Sequence, residues 1–304
     1  MGLAELRAFL HVVDEGSFAA AAAALDMSRT TLRRHVEALE AETGAQLLER
    51  SSKGVVLTAA GRRLVRGGRL MEQEFTALIR TIRETDERPE GELRLMLPAG
   101  VMPTALAFLF GLARSNWPGV RLHTSFTDEP QTVKISETDM AVWFGDAAPL
   151  GAWEVRTIAV TRQRLLASPA YLREHGTPRS IGELAGHTVM AWLGHGESEP
   201  SLFTRQGEKL PLVASAVTRN PHFLHECAYL GYGVAWVPDA DLGTPPGQQP
   251  LVRLLDDLVG RDVPMQFGVP RSLMTLPKVR VFLENLETIR AHVYENIVDH
   301  MARR

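Results

Sequence analysis

Between residues 28 and 34 the chain sets Ser28, Arg29, Thr30, Thr31, Arg33 and Arg34 within two helical turns. Guanidinium and hydroxyl groups at that density suit hydrogen bonding to phosphate oxygens and base edges, because arginine offers paired donors to guanine and threonine serves either kind of acceptor. Leu32, Val36 and Leu39 share one stripe at helical spacing, while Thr30, Arg33, Arg34 and Glu37 project from the opposite side, with Arg29 at the N-terminal edge. The spacing predicts Arg33 and Thr30 at base edges, and Arg34, Arg50 and Lys53 on the phosphate backbone. A second chemistry is suggested by His222 and His225, which lie three apart on a helix and could grip a metal. No third or fourth ligand stands at the usual spacings, and both histidines open a helix capped by Asn220 and started by Pro221, so no metal is expected. The chain has no GxSxG, no phosphate-cradling glycine loop and no paired carboxylates at motif spacing. No catalytic residue and no cofactor are expected, and the chain does not read as an enzyme.

Two helices must hold the arginine cluster. Ser17 suits the N-cap of the alanine-rich segment 18–25, whose alanines favour helix and let a neighbour pack close. Asp26-Met27 breaks the run, Ser28 caps the next helix, and Gly44 ends it. Upstream, Leu3, Leu6, Phe9, Leu10 and Val13 mark a first amphipathic helix; downstream, 46–53 followed by Gly54-Val55-Val56-Leu57 suits a β-wing carrying Arg50 and Lys53. These signals predict a winged helix-turn-helix over residues 1–60. Segment 58–85, capped by Thr58, holds no proline. Leu57, Gly61, Leu64, Gly68, Met71, Phe75, Leu78 and Ile82 alternate along it in steps of four and three, the seam of a coiled coil. The other face carries Arg62, Arg66, Arg69, Glu72, Arg80 and Arg83. A self-pairing linker helix with its hinge is therefore expected over 58–88, with Leu64, Met71, Phe75, Leu78 and Ile82 at the two-fold axis and Gly67-Gly68 permitting close approach or a bend.

Charge agrees with an anionic partner. Residues 29–69 hold nine Lys/Arg against four acids, although the whole chain carries a net −3. A length of 304 residues with 45% hydrophobic content supports two or three packed domains. The single cysteine, Cys227, excludes an internal disulfide framework. The N-terminus does not read as a signal peptide, and the longest apolar run, 101–113, is broken by Pro103 and Gly111, so a cytoplasmic protein with no membrane partner is expected.

The order of LRAFLHVVDEGSFAAAAAAL, SRTTLRRHVEALEAETGAQLLER and VVLTAAG resembles the N-terminal domain of LysR-type transcriptional regulators over about sixty residues without a gap. That family usually has a glutamine-proline pair after the capping serine and a serine further on, where this chain has Arg29-Thr30 and Arg33. The resemblance thus implies a recognition surface richer in arginine, suited to guanine or to extra phosphates. From residue 92 strands and helices alternate: strands at 93–97, 120–126 and 140–144, a helix at 103–115, a restart near 160, a helix from Pro221, and a last helix over 277–297. The fragments SETDMAVWFG, SPAYLREHGTP, GYGVAWVPD and PKVRVFLENL resemble the LysR effector domain, with the family's aspartate at Asp139. The implied fold over 91–304 is a two-lobed α/β domain like a type II periplasmic binding protein, with lobe 1 from 91–160 and 265–304 and lobe 2 from 161–264.

The resemblance also implies a ligand crevice, with Gly100, Val101, Met102 and Thr127 to Glu129 on one wall and Trp192, Asn220 and His222 on the other. Relatives that take carboxylates tend to have Ser or Thr where this chain has Val101. Asp128, Glu129 and Asp146 add negative charge at the mouth, so a neutral, aromatic or cationic effector is expected rather than a small dicarboxylate. His187 and His195 read as solvated or capping, and Trp143, Trp192 and Trp236 as core. The expected function is sequence-specific binding of double-stranded DNA by a homodimer or homotetramer that senses a small molecule, with RNA polymerase as a further partner. The alternative is a solute-binding protein or enzyme of the same fold with an N-terminal appendage that does not bind DNA.

Overall fold

Side-chain caps set the helix boundaries at the N-terminal end. Helices α1 (Leu3–Glu15), α2 (Phe18–Ala24) and α3 (Arg29–Thr43) follow one another closely, and Ser17 Oγ accepts the Ala20 N–H at 3.1 Å as Ser28 Oγ accepts that of Thr31 at 3.1 Å. Gly16 and Gly44 end α1 and α3 in the left-handed conformation. Strands β1 (Leu48–Ser51) and β2 (Gly54–Leu57) form the antiparallel wing, and α4 (Ala59–Arg83) follows. Glu40 Oε1 on α3 accepts the N–H groups of Leu47 and Leu48 at 2.7 and 3.1 Å, and the Val55 N–H donates to the Gly16 carbonyl at 3.1 Å, so the wing is tied to both helix turns. Leu6, Phe9, Leu10, Val12, Leu32, Val36 and Leu39 form the core.

This is a computed structural model; it describes residues 2–51, 54–84, 88–101, 103–239, 244 and 247–291, in two compact units, Met1–Arg83 and Glu84–Arg304. In the first unit, Thr58 Oγ1 accepts the Gly61 N–H at 3.0 Å, capping α4. A methyl group at Gly61 would overlap the Leu47 carbonyl oxygen, and one at Gly68 would lie 2.6 Å from Leu6 Cδ1, so both glycines let α4 press against its own domain. The seam read from the sequence is therefore divided. Leu64 packs on the domain's core, whereas Met71, Phe75, Leu78 and Ile82 stay 41–59% exposed.

The second unit contains β3 (Gly91–Leu97), α5 (Pro103–Asn116), β4 (Val120–Phe126), β5 (Met140–Phe144), β6 (Trp153–Ala167), α6 (Pro169–His175), β7 (Val189–Trp192), β8 (Ser201–Phe203), β9 (Lys209–Pro211), β10 (Ala216–Thr218), α7 (Pro221–Tyr229), β11 (Val234–Asp239), β12 (Val252–Leu254), β13 (Arg261–Pro270) and α8 (Pro277–Glu284). The main sheet runs β10-β7-β11-β6-β13-β5-β3-β4, with β12 beside β6. Two parallel groups, β5-β3-β4 and β10-β7-β11, make two lobes joined by the long antiparallel pair β6 and β13. Residues 265–268 of β13 pair with β5, returning the chain to the first lobe.

Two details differ from the sequence reading. The restart near residue 160 lies inside β6, which spans 153–167 and serves both lobes. The last helix is interrupted: α8 ends at Glu284 and a turn follows, where the Asn285 amide donates to the Val281 carbonyl at 2.8 Å and competes with the helix ladder. Helical backbone then resumes over 286–291, and the rest of the expected helix lies outside the described residues.

Candidate nucleic-acid interface and effector crevice

The first turns of α3 present their polar groups outward because Leu32, Val36 and Leu39 take the inward stripe. Ser28, Arg29, Thr30, Arg33 and Arg34 are exposed, and Thr31 is half-buried. The hydroxyls of Ser28 and Thr31 lie 2.9 Å apart and engage each other, which fits them to hold the turn. Arg29, Arg33 and Arg34 form no ion pair among the described residues. Arg33 carries its guanidinium over the Phe18 ring of α2, 5.6 Å from the centroid, a contact worth about 0.5–1 kcal/mol at an exposed position. Arg50 stands in β1, and Lys53 lies outside the described residues.

In the second unit the strand ends of the two lobes meet at a narrow crevice lined by Pro98, Thr127, Asp128, Trp143 and Phe144 of lobe 1 and by Trp192, Leu193, His195 and Arg219 of lobe 2. The free space is about that of one water, so the crevice is closed. Charge from both lobes closes it. Glu129 Oε1 lies 3.3 Å from an Arg219 guanidinium nitrogen, and Glu129 Oε2 lies 3.3 Å from His195 Nδ1. His195 Nδ1 also lies 3.2 Å from the Asp128 carbonyl, and Arg219 donates to the Gly194 carbonyl at 3.2 Å. Apolar contacts reinforce the closure: Phe144 and Trp192 meet edge to face at 5.9 Å, and a methyl group at Gly100 would overlap the Pro221 ring. The Trp192 indole N–H donates to the Arg219 carbonyl at 3.0 Å, fixing that wall.

Residues 3–62 match the family model for bacterial regulatory helix-turn-helix proteins of the lysR family, and residues 86–290 match the LysR substrate binding domain. The chain belongs to the LysR family. CrgA of Neisseria meningitidis serogroup C, an HTH-type transcriptional regulator, is 30% identical over 239 residues, covering 77% of this chain and 79% of that protein. An HTH-type regulator of Xanthomonas campestris is 27% identical over 92% of this chain and 83% of its own length. In fold, the full-length Vibrio cholerae virulence activator AphB aligns at TM-score 0.59 with 21% identity over 95% of this chain and 99% of that one. Full-length LysG of Corynebacterium glutamicum, solved with bound effector Arg, aligns at 0.56 with 22% identity over 97% and 99%. This LysR-family protein is thus a DNA-binding transcriptional regulator whose α/β domain is built for a small-molecule effector, in a family that forms oligomers.

The crevice residues expected from the sequence are only partly gathered by this regulator's fold. Thr127 and Trp192 line the crevice and Glu129 latches it, while Gly100 abuts Pro221. Val101 and His222 are half-buried and, like Asn220, are not among the lining residues; Met102 is outside the described residues. Asn220 is occupied as a cap, its Oδ1 accepting the Phe223 N–H at 3.2 Å. Of the acids expected at the mouth, Asp128 lines the crevice, Glu129 faces Arg219 and His195 across it, and Asp146 lies outside the lining. His195, read as solvated or capping, has a side chain only 8% exposed and inside the crevice. Arg219 went unnoticed because it is joined to Glu129 only by tertiary folding. Trp236 is fully buried core, whereas Trp143 is both buried and part of the crevice wall. Among the described residues, no three His, Cys, Asp or Glu cluster to hold a metal, and no helix is long and apolar enough to cross a membrane.

Proposed function

We propose that this regulator reads duplex DNA with Thr30 and Arg33 in the major groove while Arg29, Arg34, Arg50 and Lys53 meet phosphates, Ser28 and Thr31 holding the turn from which they project. The observation that carries this reading is the set of exposed, unpaired arginines on a helix whose other face is locked into a packed core. Two copies pair through Met71, Phe75, Leu78 and Ile82, an apolar stripe that stays 41–59% exposed among the described residues. The interlobe crevice takes the effector, and its opening alters the DNA-bound dimer. The protein acts in this way without catalysing a reaction; RNA polymerase is the further partner through which DNA binding changes transcription, and its DNA partner sets its place in the cytoplasm.

Fluorescence anisotropy with duplex DNA from upstream of its own coding region, against an unrelated duplex, tests the assignment. Arg33→Ala should weaken the specific site by about 1–3 kcal/mol and relax base preference there, whereas Lys53→Ala should weaken both duplexes alike and reduce the salt slope by about one. Equal loss on both duplexes in both variants would sink this division of roles.

A further inference from the structure

The crevice is closed by its own charges, and their arrangement indicates what would open it. Glu129 belongs to lobe 1 and is half-exposed, yet it receives both Arg219 and His195 of lobe 2. Among the described residues these two groups meet no other carboxylate within ion-pair distance. Asp128, next in the chain, lines the crevice under different constraints. Its Oδ1 accepts the Ala99 N–H at 3.1 Å, while its Oδ2 takes no hydrogen bond among the described residues. Burial pushes the Asp128 carboxyl up despite that hydrogen bond and the attraction of Arg219. Between the charged groups stand Trp143, Phe144 and Trp192, and the Trp143 indole N–H is buried without an acceptor among the described residues.

We propose that the effector is an amphoteric aromatic molecule of the amino-acid type, whose carboxylate replaces Glu129 on Arg219 and His195, whose ammonium group meets Asp128, and whose ring lies on Trp192. The assignment rests on the crevice being the effector site. Glu129 is then an internal stand-in for the ligand carboxylate. It can leave because it is half in water, whereas Asp128 is anchored by a backbone N–H and stays. A simple anion would displace Glu129 but leave Asp128 without a cation, and a simple cation would leave the latch intact. Only a ligand with both signs opens the crevice while keeping its charges matched.

Titration calorimetry and thermal-shift measurements on the full chain test this with L-tryptophan and L-phenylalanine, indole-3-propionate (no ammonium), tryptamine (no carboxylate) and glutarate. At least one of the two amino acids should bind saturably and raise the Tm, with indole-3-propionate, tryptamine and glutarate about tenfold weaker or more, as expected for loss of a charge-assisted hydrogen bond. Glu129→Gln removes the internal competitor and should tighten the amino acid and indole-3-propionate by about tenfold and tryptamine by less. Asp128→Asn should erase the preference for the ammonium group. No binding of either amino acid, or no tightening in Glu129→Gln of normal Tm, would overturn the proposal. If a one-charge analogue bound as tightly as the amino acid and this was lost in Trp192→Leu, the amphoteric class would fall and the crevice would stand. Saturable binding untouched by all three variants would overturn both.

Discussion

The head and the effector domain treat charge in opposite ways. On α3 the arginines stand exposed and form no ion pair among the described residues, on a scaffold fixed by caps and a packed core, which leaves them open to an external anion. In the crevice Arg219 and His195 are already matched by Glu129, and the two lobes meet with room for about one water. The first arrangement is ready for its partner, whereas the second must give up internal contacts to admit one. Under the proposed function, the head would need no rearrangement to meet DNA, whereas an effector entering the crevice would act by shifting an equilibrium that the latch holds closed.

The largest expected effect tests how far the open side of this contrast extends. Met71, Phe75, Leu78 and Ile82 remain exposed along α4, as α3 leaves its arginines exposed, and the complement proposed for them is a second copy. Met71→Glu would place a carboxylate from each copy in an apolar seam, costing about 3 kcal/mol or more per dimer. Analytical ultracentrifugation should show a shift toward monomer, with a parallel loss of operator affinity. An unchanged dimer would mean that the effector domains hold the copies together.

The next prediction concerns whether the head is fixed before DNA arrives. Gly61 faces the Leu47 carbonyl so closely that Gly61→Ala must move α4 or the wing, at a cost of about 1–3 kcal/mol. Gly67, with nothing within 4 Å of where a side chain would begin, is the internal control: Gly67→Ala should stabilise the helix by up to about 1 kcal/mol. Chemical denaturation should therefore give opposite signs for two glycine-to-alanine changes on one helix. DNA affinity should fall with the first although no arginine has been touched. Equal and small effects would mean that the wing adapts, and that the head is formed by its DNA rather than in advance.

The same contrast governs what could be read from the sequence. Ser17, Ser28, Gly44 and Thr58 act within a few residues of where they stand, so the helix boundaries of the head were legible from local chemistry. Strands β4 and β5 fall where their apolar runs predict, at 120–126 and 140–144, for the same reason. The latch was not legible. It joins Glu129 to residues 66 and 90 positions away, and no periodicity marks such a meeting. The divided seam of α4 was hidden for a related cause: Leu64 and Met71 share one spacing pattern, but Gly68 brings only the first half of that stripe against the core. Asn220 caps α7 as its place before Pro221 predicts, a signal that is again local.

The smallest expected effect probes the closed side of the contrast through pH. Burial raises the Asp128 carboxyl above its ordinary value, outweighing the Ala99 N–H and the attraction of Arg219, with Glu129 adding to the rise. The native state therefore holds this proton more tightly than the unfolded chain does. Its contribution to stability is fully present below the ordinary aspartate pKa of 3.8 and is lost as pH rises through the raised value. Asp128→Asn keeps an oxygen for the Ala99 N–H but cannot ionise. The Tm of the variant minus that of the wild type should accordingly be largest near neutrality and fall as the pH approaches about 4. Glu129, Arg219 and His195 also face this group, so the comparison belongs in the difference between the two proteins rather than in either curve alone. The slope is the test, because an offset could come from packing. A difference that instead grew on acidification would mean that Arg219 already serves Asp128 as a cation, and the crevice would then have no unmatched charge for a ligand to meet.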